Sequence, residues 1–358
     1  MLEKFAREAR TNARGAARRV ARRISSRNGS TVPVPNVSAT PDAARAARQA
    51  KLVELERKAA ESLAAEQALE AERFLKYSIP PATAGRLARI KGMQLDASAT
   101  RLYHRVEKGF SLPAPKRPFG AKAVPGLTKV LAKKSVPQDA LYITESKMVL
   151  DALEAWNERG ERHDAVAPRG DSLPMNPLDA ETAAQFITSR HSIRDFEQRK
   201  VSPELITEAV RVAMSAPSVC NRQGWRAHWF DAPEDLARIL PLHSGSAGFA
   251  DNIPGVFILT FDIRAFEGTN ERNQGWIDGG LFSMNLMLAL HGLGLGSVPL
   301  NWSRSNAASD KMRATAGIPD HENILMLLAV GHPSEGYRVA RSARRPVEQI
   351  LRFGTTTD

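Results

Sequence analysis

The chain has 358 residues, enough for one large domain or two smaller ones, with Lys+Arg 50 against Asp+Glu 39 and a formal net charge of +11. A single cysteine, Cys220, excludes an intrachain disulfide framework and a cysteine-rich metal site. No run approaches the length of a membrane-spanning helix and the start lacks the apolar core of a secretory signal, so a cytoplasmic protein is expected.

The excess charge is concentrated at the start, where Lys4, Arg7, Arg10, Arg14, Arg18, Arg19, Arg22, Arg23 and Arg27 face only Glu3 and Glu8. Residues 2–24 can be drawn as a helix with Leu2, Phe5, Ala13, Ala17, Val20 and Ile24 on one side. Such an arm over 2–27 is a solvated basic segment or rests on the anionic inner face of a membrane. Nucleic acid ranks last as a partner, because no aromatic residues interleave the charges. Residues 30–41, rich in proline and small polar residues, read as a linker, so 1–41 forms a basic arm and linker.

Residues 42–175 are expected to form a mostly helical accessory region. From 42 to 77 the chain has no glycine or proline, which predicts a strong helix capped by Asp42 and stopped by Pro80-Pro81. Its apolar positions Leu52, Leu55, Ala59 and Leu63 suit an ordinary packing or dimer helix. His104 and Glu107 have a spacing that puts two metal ligands on one helix face, but no further ligands accompany them. A helix end with Gly109 as its C-cap is the preferred reading, and no metal is expected. A further helix is predicted over 147–157, and 165–177 connects into a third region, 176–358.

That third region alternates helix and strand. The periodicities predict helices over 181–189, 203–215, 279–291 and 305–316, and strands over 225–231, 255–262, 296–301 and 324–331. Gly292-x-Gly-x-Gly follows a helix rather than opening one, so a dinucleotide-binding βαβ unit is not expected. Asp278-Gly279-Gly280 reads as a helix start, Cys220 as a packing thiol, and Trp225 and Trp229 as core.

Two segments carry the chemistry. Arg190-His191-Ser192-Ile193-Arg194 gathers two guanidiniums, an imidazole and a hydroxyl, which suits a phosphate with several acceptor oxygens. About one helix later, Ala216-Pro217-Ser218-Val219-Cys220-Asn221-Arg222-Gln223-Gly224-Trp225 is a turn able to present amides and short polar side chains to a planar ligand. Together with 292–299, the Gly-His-Pro end of 324–331, and Arg344-Arg345-Pro346-Val347-Glu348, these segments resemble the FMN-dependent nitroreductase family over roughly 180–353. More loosely, the region upstream resembles that of nitroreductase-like proteins from bacterial surface-polysaccharide gene clusters.

The resemblance implies an α+β nitroreductase-like fold: a central, mostly antiparallel sheet flanked by helices, FMN at a homodimer interface, and a largely helical N-terminal extension ahead of it. It implies an NAD(P)H oxidoreductase in which NADH or NADPH gives hydride to flavin N5 and a small-molecule acceptor then takes it, in a ping-pong cycle with no catalytic side chain. The FMN phosphate is expected against Arg190, His191, Ser192 and Arg194 from one end and Arg344 or Arg345 from the other. Pro217, Ser218 and Asn221 approach the ring from the partner subunit, and Pro299, Leu300, Asn301 and Trp302 pass beside it. Two departures from the family stand out: Trp302 is bulky where glycine is common, which suggests a narrowed acceptor site, and 241–255 offers no Lys or Arg, only His243. The reading from another class is an interaction protein at the membrane surface with a degenerate or structural flavin fold.

Overall fold

The computed structural model describes residues 41–81 and 85–354, so the basic arm over 2–27 and its expected helix lie outside the described residues. The chain divides into two units between Ser62 and Leu63. In the first unit the described residues belong to helix α1 (Pro41–Tyr77). There Arg57 pairs with Glu54 at 2.8 Å and Glu61 at 2.5 Å, one turn away on either side. Such exposed pairs add about 0.2–0.5 kcal/mol each to a helix whose sequence already favours it. Asp42 lies within α1.

The second unit has a four-stranded antiparallel sheet at its centre, in the order β1 (Trp225–Phe230), β2 (Gly255–Asp262), β4 (Glu322–Gly331), β3 (Gly296–Asn301). All eight residues of β2 are buried, because both faces of the sheet are covered. On one face Phe257, Leu259, Leu328 and Val330 pack against α7 (Pro203–Ala213) and α9 (Gln274–Gly292). On the other, Val256, Ile258, Leu327 and Ala329 meet α8 (Pro233–Ile239) and α10 (Asn306–Ala316). Each such side chain contributes roughly 1.5–3 kcal/mol of burial. The α+β expectation therefore holds, and every predicted element of 176–331 has its counterpart. Helix α9 starts at Gln274, so Asp278 lies one turn inside it rather than at its start.

Upstream, α2 (Arg86–Arg89), α3 (Met93–Phe110), α4 (Val124–Leu131) and α5 (Leu141–Arg159) form a helical layer. Tyr103, Val106 and Phe110 of α3 bury against Leu127 of α4 and against Val149 and Leu153 of α5. Gly109 is within α3, and Ser111 is the cap residue. The aromatic ring of Phe119 lies only 2.5 Å from where a Cβ on Gly109 would stand, so the glycine serves packing rather than helix ending. His104 and Glu107 bond to one another, Nδ1 to Oε2 at 2.8 Å. Among the described residues no helix is long and apolar enough to cross a membrane.

Across the sheet, Glu322 of β4 accepts from His228 Nε2 of β1 at 2.6 Å and from the Thr260 hydroxyl of β2. Burial raises the pKa of this carboxyl, but the bonds from His228 and Thr260 prevail and hold it below the ordinary range. A depressed carboxylate contributes stability that is present above its unfolded pKa and lost as pH falls through the folded one. The urea midpoint is therefore expected to be flat near neutrality and to drop between about pH 5 and 3. Glu322→Gln should show much of that loss already at pH 7 and a shallower acid limb. Superimposable pH profiles for the two proteins would show that the Glu322 cluster carries no acid sensitivity.

Candidate functional site

The Arg190 segment leaves helix α6 (Ala180–Ser189), which Asp179 caps by accepting from the Thr182 N–H at 2.7 Å. The chain turns extended at Arg190 and runs along the open side of β3. Ser192 bridges Ser297, and the Ile193 N–H donates to the Ser297 carbonyl at 3.1 Å. Gly296 permits this approach, since a Cβ there would meet Ile193 at 3.1–3.2 Å. Further on, Phe196 bridges Pro333 and the Glu197 N–H donates to the His332 carbonyl at 2.9 Å. The motif is thus fastened by main-chain bonds to β3 at one end and to the residues that follow β4 at the other.

Arg190 is half-buried, and its Nη1 is buried with no hydrogen-bond partner. A buried charged donor without a partner costs more than the 1–3 kcal/mol of a neutral one, so this atom calls for an anion. His191 is exposed and donates Nδ1–H to the Ser189 carbonyl at 2.8 Å. Beside them, His291 bonds the Ser189 hydroxyl at 2.8 Å. Burial lowers its pKa, and the charges of Arg190 and His191 lower it further. Arg190 thus brings positive charge to this corner. Arg194 is exposed, and its Nη1 makes a long 3.4 Å bond to the Ser192 carbonyl. An oxyanion with several acceptors fits this donor set.

The 216–224 loop has unusual backbone geometry: Cys220, Asn221 and Gln223 all have positive φ, at 50°, 54° and 49°. Each left-handed non-glycine residue costs of order 1 kcal/mol or more, so the loop needs external restraint. Three contacts provide it. The Gln223 N–H donates to Ser218 Oγ at 3.1 Å, and the Val219 N–H to Asp278 Oδ2 at 3.1 Å. Arg222, buried beneath the loop, donates to the carbonyls of Val219 and Ala265 and to both Glu271 carboxylate oxygens at 2.9 Å. Burial raises the Glu271 pKa, but the bonds from Arg222 and the Glu267 N–H bring it below the ordinary range. Pro217 and Asn221 are exposed at the loop surface, while Ser218 and Cys220 are half-buried.

Arg222 and Asp278 were absent from the residues expected at the site, yet they hold the loop in shape. Arg222 stood within the motif itself. A lone arginine amid short polar residues was a signal of anchoring, but its partner Glu271 is 49 residues away and had no local signature.

Along β3, Pro299 is half-buried, Leu300 is buried in the core and Asn301 is exposed at the strand end. Trp302 corrects an expectation: its ring is buried with Met312 and Val298, and its Nε1–H donates to Ser309 Oγ at 2.9 Å. The large side chain thus fills the interior. His243 is also buried; it accepts from the Gly245 N–H at Nδ1 and donates from Nε2 to the Asn301 carbonyl, both at 2.8 Å. Both ring nitrogens are thus engaged, and the residue supports the β3 end as a strut. A cavity of about 710 Å³ bounded by Lys200, Asp231, His243 and Asp251 includes none of the residues expected at the site.

Arg344 and Arg345 lie in a tail that is exposed throughout 335–354, and their hydrogen bonds stay within it, to the Ser342 carbonyl and to Gln349. Main-chain bonding thus joins Ser192 and Ile193 to β3 at Ser297, whereas the hydrogen bonds of Arg344 and Arg345 stay in the tail.

The chain is an α+β protein, with a four-stranded antiparallel sheet between helical layers, an unpartnered arginine donor beside the edge strand β3 and a strained, clasped loop after α7. The model of the nitroreductase family matches residues 187–247 and 242–332. An NADH dehydrogenase of Thermus thermophilus is 31% identical over 211 residues, covering 50% of this chain and 97% of that protein. The chain belongs to the nitroreductase family. Iodotyrosine deiodinase 1 of Pongo abelii is 21% identical over 257 residues, 63% of this chain and 87% of that protein. Among solved structures, an FMN-dependent nitroreductase from Clostridium difficile aligns with 21% identity, 48% of this chain, 99% of that one and a TM-score of 0.41.

Proposed function

We propose that the chain is an FMN-dependent NAD(P)H oxidoreductase in which residues 176–358 hold the flavin and 42–175 form an accessory layer. The observation that carries this reading is the buried, partnerless Nη1 of Arg190 beside the main-chain bridge between Ser192 and Ser297. When bound, FMN supplies reversible hydride acceptance, so that NAD(P)H, a proton and an acceptor A give NAD(P)⁺ and AH₂. Arg190 and Ser192 orient the phosphate, with His191 and Arg194 adding charge. The main chain of 299–302 offers its polar groups to one edge of the ring.

The site is completed by a second copy of the chain. Supporting this, α9 exposes Trp276, Ile277, Leu281 and Met284, and the tail exposes Val347, Ile350, Leu351 and Phe353. So many large apolar groups on one helix face and one extended arm need cover. In a two-fold dimer each arm brings Arg344 and Arg345, and each clasped loop brings Pro217, Ser218 and Asn221, to the partner's flavin.

The visible spectrum of the purified protein tests this reading. Flavin bands that bleach on anaerobic addition of NADPH or NADH are expected. A protein that takes up no FMN even when it is supplied in excess would overturn the proposal.

A further inference from the structure

Helix α3 carries Arg101, His104, Arg105 and Lys108 at i, i+3, i+4 and i+7, which places all four on one helix face. Its opposite side is the buried one, with Tyr103, Val106 and Phe110. The basic face lines a pocket of about 390 Å³ whose other walls are Gly109, Leu112 and Cys220 of the strained loop. No carboxylate lines it. Glu267 lies nearby but already pairs with both Arg86 and Arg101, so two guanidiniums share one negative charge. Glu107 is taken up by His104. Among the described residues neither Arg105 nor Lys108 forms an ion pair, and both are exposed. The pocket thus combines uncompensated positive charge with an apolar wall, in the size range of small-molecule sites.

Resting on the flavin reading above, we infer that this pocket receives the electron acceptor and that the acceptor is a small organic anion. Its carboxylate, sulfonate or phosphate end meets Arg105 and Lys108, and its apolar body lies on Leu112 and Gly109, alongside the loop that carries Asn221. The accessory layer then has a definite role, in which α3 selects the acceptor by charge while the 176–358 portion supplies the redox site.

The probe pair is 4-nitrobenzoate and the neutral 4-nitrobenzamide, which match in shape and differ in charge. In turnover each nitro group becomes nitroso: NAD(P)H and a proton supply two electrons and two hydrogens, and one nitro oxygen leaves as water. On the flavin-loaded full chain, 4-nitrobenzoate is expected to bind roughly tenfold more tightly by calorimetry, with a matching gap in kcat/KM. The gap should shrink as salt rises and collapse in Arg105→Glu/Lys108→Glu, with flavin content and melting temperature retained; Arg105→Gln/Lys108→Gln serves if charge reversal harms folding.

Equal affinity for the two probes in the unmodified protein would overturn the inference, as would a gap that survives the double substitution. A rise in the KM for NADPH with the probe gap intact would assign the charge to the electron donor and likewise overturn it. The two readings fail separately. A chain that takes up no flavin but still prefers 4-nitrobenzoate by calorimetry keeps the anion site and loses the FMN reading. A flavin that bleaches with NADPH in a protein indifferent to the probes does the opposite.

Discussion

Arg190→Ala combined with Arg345→Ala is expected to release FMN while leaving the chain folded and dimeric. Arg190→Ala removes a charged donor that the fold buries without a partner, and Arg345→Ala removes a second charge, one carried on the exposed tail. A hydrogen bond to a charged group is worth about 1.5–3 kcal/mol, so two of them should weaken FMN binding by at least about a hundredfold. Equilibrium dialysis reads the loss, and light scattering reads the dimer. Arg190 leaves no packing defect of consequence, because its neighbours Ile193 and Phe196 hold the segment to the sheet through their own burial. Full flavin occupancy in the double variant would mean that the phosphate lies elsewhere.

Arg222→Met should cost more stability than any surface change, about 3–5 kcal/mol, because it leaves the Glu271 carboxylate and two main-chain carbonyls beneath the loop without their donor. The urea midpoint is the readout. Arg222→Met/Glu271→Met should recover part of that loss, since an apolar pair of similar volume removes the stranded charge. It should not restore flavin affinity, because the restraint on Cys220, Asn221 and Gln223 is gone in both variants. The two measurements separate stability from loop shape. A single variant within about 1 kcal/mol of the unmodified protein would show that Asp278 and Ser218 hold the loop without Arg222.

Where the sequence was legible, periodicity and punctuation were the reason. Strands over 255–262 and 324–331 were apolar runs bounded by turns, and Ser305 closed off a helix start by accepting from the Ala308 N–H at 3.3 Å. Elements misjudged at their ends failed because the deciding contact was distant. Helix α9 begins at Gln274 because Gln274 Nε2 bonds Asp278 and the helix packs Phe282 on Trp225. Helix α5 begins at Leu141, several residues ahead of the expected 147–157, because Ile143 buries beside Ile90 and Leu95.

Of the candidate site, the chain by itself determined the donor set. Two arginines, a histidine and a serine within five residues supply donors of the kind that suit a phosphate. The turn residues at 216–224 likewise fix a loop. Only the tertiary structure decided which of these groups lack a partner, and that is a property of packing rather than of residue type. It buried Arg190 Nη1 against nothing and turned Trp302 inward to Ser309. It also brought α3, more than a hundred residues upstream, to the rim of the loop at Cys220. Short-range patterns encode local conformation and chemistry. Burial and electrostatic satisfaction depend on contacts between segments far apart in the chain, which local patterns do not specify.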